Sequence, residues 1–118
     1  MNNPLLYVAV ACFAGAGLLG LFLLSYVLRD IPTPKGLVFI HGPLAALGIV
    51  SLLVAWAISA QGPLLSLGLF IAAALGGFFL LYRDLARGRV PKSIALVHGS
   101  LALGALVLLL QFLFSHSA

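Results

Sequence analysis

Carboxylates are nearly absent from this chain. Asp30 and Asp84 are the only two among 118 residues, and charged residues of both signs make up 7% of the total. Soluble domains carry roughly 25% charged residues. Hydrophobic residues reach 64%, and a small globule buries only about two-thirds of the surface its chain exposes. Water is therefore excluded as the main solvent, and a bilayer is what remains. Cysteine is also scarce: Cys12 stands alone, so no internal disulfide can form. Inside an apolar run it reads as a small packing residue. No Asp or Glu falls within any apolar span, which weighs against a proton-coupled carrier. Nucleophile–base–orienter sets, phosphate loops and nucleotide motifs are missing too.

What is present is apolar sequence in four blocks, predicting an all-α integral membrane bundle as one domain over residues 1–118. The spans are about Leu5 to Leu28, Gly36 to Ser59, Leu64 to Tyr82 and Ser93 to Phe114. Each approaches or exceeds the roughly 20 helical residues needed to cross a bilayer core. Met1-Asn2-Asn3-Pro4 has no basic region and the run after it is long, so span one is expected to be a membrane helix rather than a cleaved signal. Ala60-Gln61-Gly62-Pro63 is a short uncharged connection, which makes spans two and three antiparallel neighbours. Every Lys and Arg lies in 29–36 or 83–92. Those loops share one side, and the positive-inside rule assigns that side to the cytoplasm, with both termini opposite. A bacterial inner membrane is the expected location. The net charge of +4 is thus accounted for by topology, and no nucleic-acid partner is expected.

One stretch occurs twice. Pro34-Lys35-Gly36-Leu37-Val38-Phe39-Ile40-His41-Gly42-Pro43-Leu44-Ala45 returns, 57 residues on, as Pro91-Lys92-Ser93-Ile94-Ala95-Leu96-Val97-His98-Gly99-Ser100-Leu101-Ala102. At the same offset Gly20 falls on Gly77 and Phe22 on Phe79, while Arg29-Asp30 meets Arg83-Asp84 at an offset of 54. The unit is a helical hairpin used twice, about 5–59 and about 64–114. Two spans return the chain to its starting side, so the copies run parallel about an axis along the membrane normal.

His41 and His98 each lie six residues past a lysine, roughly 9 Å along a helix. They are expected at one depth, on spans diagonal to each other. Their faces continue through small residues: Ala45, Gly48 and Ala55 on span two, and Ala95, Ala102 and Ala105 on span four. That leaves room for something flat. Gly20 and Gly77 should reach the same depth, where a missing side chain spares a flat ligand a collision. Pro43 is expected to bend span two near its histidine.

This arrangement of His41, His98, Gly20 and Gly77 resembles small four-helix membrane cytochromes b, the broad class that includes the cytochrome b561 type. The resemblance is architectural and covers the four spans. It implies one haem b with His41 and His98 as iron ligands, two imidazoles filling both axial positions. A second haem is not expected, since His116 is alone at the other surface. Lys35 and Lys92, which recur with the histidines, are candidates to pair with the haem propionates, and Ser25 and Tyr82 are weaker candidates to bond to them. Electron transfer, rather than stand-alone catalysis, is the implied activity, with a quinol pool, a redox partner protein or a larger respiratory complex as partner. Two other readings remain open on the sequence: a non-haem accessory or assembly subunit of a membrane complex, and a small transporter.

Overall fold

Four helices account for nearly all of the computed structural model, which describes residues 3–60 and 62–116. They are α1 (Pro4–Leu28), α2 (Lys35–Ser59), α3 (Leu64–Arg87) and α4 (Lys92–Ser115). Gln61 of the second connection, Met1-Asn2 at the start and Ser117-Ala118 of the tail lie outside the described residues. All four helices are long and apolar enough to cross a membrane. At 24 or 25 residues each, they extend about 36 Å, enough for a hydrocarbon core of about 30 Å. A helix is the form such runs must take in lipid, because it satisfies every backbone donor and acceptor from within.

Local signals set the ends. The Asn3 side chain accepts a hydrogen bond from the Leu5 N–H at 2.9 Å, capping α1 ahead of Pro4 at its first position. Pro34 and Pro91, both in extended backbone, precede α2 and α4. Ala60 closes α2 in the left-handed region at φ 54°, and Gly88 closes α3 at φ 63°. Pro43 does not interrupt α2, which continues through it to Ser59.

Span three is longer than its hydropathy indicates. The sequence places Arg83 to Arg87 in a loop, whereas α3 carries them as helix up to Gly88. Hydropathy falls at the first arginine, but Leu, Ala and Arg are all strong helix formers, and nothing before the glycine stops the helix. The consequence is that Asp84 is a helical residue facing inward, only 8% exposed.

Around the bundle, α1 packs on α2 and α4, and α3 packs on α4 and α2. The pairs α1/α3 and α2/α4 are diagonal and make no close backbone contact. Many large apolar side chains face outward, and small residues share the interior with a few leucines and phenylalanines. Small residues such as Ala9, Ala55, Ser66 and Ala105 are sealed inside, while Leu18, Leu65, Ile58 and Phe78 are about two-thirds exposed. Lipid removes the drive to hide large apolar side chains, and small ones let helix backbones approach. A lipid bilayer environment follows from this surface. At the centre, Phe13 of α1 stacks on Phe70 of α3 with ring centroids 3.6 Å apart and planes 5° from parallel. Gly48 makes room for Phe13: a Cβ there would sit 2.8 Å from two of its ring carbons. The space that the sequence leaves beside His41 at Gly48 is thus used by an aromatic ring. Gly15 packs against Leu44, as a small residue of a helix interface should.

Candidate functional site

His41 comes from α2 and His98 from α4, and each imidazole is anchored on the neighbouring helix of its own hairpin. His41 Nδ1 lies 2.8 Å from the Ala16 carbonyl oxygen of α1. His98 Nδ1 lies 2.7 Å from the Ala73 carbonyl oxygen of α3. A carbonyl only accepts, so Nδ1 carries the proton in both rings and donates it. In the neutral imidazole that leaves the lone pair on Nε2, the tautomer that metal-bound histidines adopt.

The glycines explain how these carbonyls are reached. Gly20 and Gly77 each follow the accepting alanine by four residues. Helical Cβ atoms tilt toward the N-terminus, so the residue one turn later overhangs a carbonyl. Without a side chain there, the carbonyl is open and the ring fits against the backbone. A Cβ on Gly20 would stand 3.1 Å from His41 Cε1, and one on Gly77 3.0 Å from His98 Cε1. The sequence expectation set these glycines against a flat ligand; in the structure their free space is taken by the imidazoles themselves. Both glycines also line the cavity that the two rings share.

Both rings line that cavity, nearly perpendicular to each other, with centroids 6.1 Å apart and planes 78° apart. Imidazole nitrogen binds a metal at about 2 Å, with the ring centre about 1 Å further, so two rings on one metal have centroids about 6 Å apart. The observed centroid spacing is close to that figure. Hydrogen bonding uses neither Nε2 among the described residues. The cavity wall is largely apolar, with Leu23, Leu24, Leu80 and Leu81 among its lining residues, and it includes Thr33 and Asp84 at the basic end.

Lys35 and Lys92 do not approach the imidazoles; each is held by an aspartate of the other hairpin. Lys35 Nζ lies 2.9 Å from Asp84 Oδ1 and also donates to Thr33 Oγ1 at 2.9 Å. Thr33 in turn donates to Asp84 Oδ2 at 2.6 Å. Lys92 Nζ lies 2.8 Å from Asp30 Oδ2. Ser25 accepts from Arg29 and donates to the Phe22 carbonyl, and Tyr82 faces a separate recess. His116 caps α4 at the far end, bonded to the Phe112 carbonyl at 2.9 Å and stacked on that ring.

The structure therefore unites His41, His98, Gly20 and Gly77 and keeps Lys35 and Lys92 in crosswise ion pairs at one end. The sequence leaves Ala16 and Ala73 unmarked, because a backbone acceptor carries no residue signature. Phe13 and Phe70 were findable: they stand 57 residues apart, at the offset of the histidines. Among the described residues no group of three or more His, Cys, Asp or Glu gathers as a metal site. No family model, curated protein or solved structure matches this chain.

Proposed function

We propose that this chain is a membrane b-type cytochrome in which His41 and His98 hold one haem b as axial ligands. The observation that carries the proposal is the 6.1 Å separation of two imidazoles whose protons are both committed to carbonyls on the far side. Two protein ligands leave a zinc-type site incomplete, whereas a tetrapyrrole brings the remaining donors itself. When bound, haem would supply one-electron redox chemistry, with His41 and His98 as the residues that would hold it.

The chain's own residues have definite tasks in this proposal. The Ala16 and Ala73 carbonyls fix each tautomer and raise the basicity of the ligand nitrogen. The leucine wall excludes water around the redox centre, and that exclusion tunes its potential. Gly20 and Gly77 admit the rings to their anchors. The crosswise ion pairs tie the hairpins together at the basic end, leaving the propionate role proposed for Lys35 and Lys92 to whatever reach their half-exposed side chains retain.

We further propose that the bundle is two parallel hairpin repeats. Its support is that equivalent residues do equivalent work: His41 with His98, Ala16 with Ala73, Gly20 with Gly77, and Phe13 stacked on Phe70. The ion pairs exchange partners in the same way. With 29–36 and 83–92 in the cytoplasm of a bacterial inner membrane, electrons would pass between a quinol pool and a partner protein or larger respiratory complex. The test is purification of the full chain from haem-replete cells. A b-type reduced-minus-oxidised spectrum and a positive pyridine haemochrome assay are expected, lost in His41→Ala and in His98→Ala and retained in His116→Ala. A folded but colourless protein would remove the haem.

A further inference from the structure

A second recess lies outside the histidine cavity, at the basic end of α3. Arg83, Arg87, Arg89, Tyr82 and Phe79 line it, and it shares no residue with the cavity between the imidazoles. Three arginines thus border one recess. Arg83 and Arg87 are four residues apart on one helix, the spacing that puts side chains on one face and makes like charges repel. Gly88, at φ 63°, then turns the chain back so that the Arg89 N–H meets the Arg83 carbonyl at 3.4 Å.

Among the described residues no carboxylate pairs with this cluster. The chain's two carboxylates are engaged elsewhere, Asp84 with Lys35 and Asp30 with Lys92, and there is no other Asp or Glu. Arg83 Nε is buried without a hydrogen-bond partner, and among the described residues it is the one buried side-chain nitrogen or oxygen in that condition. Its guanidinium lies over the Phe79 ring at 5.8 Å, which holds the group in place. Positive-inside topology explains three cations on this side of the bundle. It does not explain a desolvated, unbonded Nε beside two further arginines. Arg29 shows the contrast: its side chain is bonded to the Ser25 carbonyl and hydroxyl and lies over Tyr26.

We propose that the Arg83–Arg87–Arg89 recess binds a phosphate group, brought to it at the membrane surface by an anionic lipid headgroup. Arginine forks match phosphate oxygens in pairs. A recess at the polar end of an apolar helix is where a headgroup lies while its acyl chains follow the exposed leucines and phenylalanines. The site stands independently of the haem.

The test is native mass spectrometry of the full chain, released from bilayer discs of equal phosphatidylglycerol and phosphatidylcholine. Retention of phosphatidylglycerol over phosphatidylcholine is expected, weakened about fivefold by Arg83→Gln or Arg87→Gln. Arg29→Gln removes the same charge from the same end, and its loss of retention should be clearly smaller than that of the recess variants. Arg83→Lys keeps the charge but loses the fork, and Gly88→Ala keeps all three arginines but strains the turn that gathers them; both should lower retention. Thermal midpoints of the variants confirm folding. Inorganic phosphate, titrated in detergent, separates the sources. Failure to displace the lipid at millimolar concentration assigns the site to the headgroup. Displacement with the same arginine dependence assigns it to phosphate from solution and retains the site. Equal losses in Arg29→Gln and Arg83→Gln, or no preference for the anionic lipid, would overturn it.

Discussion

Gly77→Ala adds one methyl group and is expected to cost most of the haem affinity. Its Cβ would stand 3.0 Å from His98 Cε1, against about 3.5–4.0 Å for a comfortable carbon–carbon contact. The ring must retreat by about 0.5–1 Å. It is held to that same helix, α3, by a 2.7 Å hydrogen bond to the Ala73 carbonyl, and the retreat stretches or breaks that bond. Ligand geometry tolerates displacements of only about 0.5 Å, and loss of a ligand's outer hydrogen bond typically costs about 10–100-fold in metal affinity. An affinity loss in that range is therefore expected, read by absorbance titration of haem into the apo-protein in detergent. Gly20→Ala, with 3.1 Å to His41 Cε1, should behave alike and slightly more mildly. Gly104→Ala is the control, since a Cβ there meets nothing within 4 Å. Wild-type affinity and spectrum in folded Gly77→Ala would refute the claim that the glycine seats the ligand ring.

Four further substitutions address the frame around the site, each read as a thermal midpoint in detergent. Gly48→Ala drives a Cβ to 2.8 Å from the Phe13 ring, and Phe13 cannot yield because Phe70 is stacked behind it; overpacking of this kind costs about 1–3 kcal/mol. Asp84→Asn breaks a buried carboxylate network with Lys35 and Thr33 and should cost about 1–3 kcal/mol. Asp30→Asn, whose side chain is 77% exposed, should cost under about 1 kcal/mol and vanish in high salt. Ser66→Ala removes a sealed hydroxyl that donates to the Ala105 carbonyl at 2.7 Å, worth about 0.6 kcal/mol and at most about 1.7 between membrane helices.

Membrane sequence is unusually explicit about some things and silent about others. The four spans were legible because lipid demands long uninterrupted apolar helices, and three of them end within a residue or so of their hydropathic limits. α3 overran because the chemistry that ends an apolar run, an arginine, is not the chemistry that ends a helix. His41 and His98 were legible as partners because each keeps the same distance from a Pro-Lys start, which fixes depth on a rigid rod. Their anchors were not, because Ala16 and Ala73 act through main-chain oxygens and any residue has one. Gly20 and Gly77 were identified as members of the site with a different purpose: a glycine states that space is needed, not which group fills it. Asp30 and Asp84 were seen to match each other but not to exchange lysines across the bundle. That pairing depends on how the hairpins sit, which spacing along one hairpin does not encode.

The most direct measurement is the electron paramagnetic resonance spectrum of the oxidised, haem-loaded full chain, recorded beside His41→Ala and His98→Ala. Two imidazoles on one iron predict a low-spin ferric signal in the wild type, replaced by a high-spin signal or by loss of haem in each single variant. A low-spin signal that survives either substitution would contradict the shared iron on which the account rests.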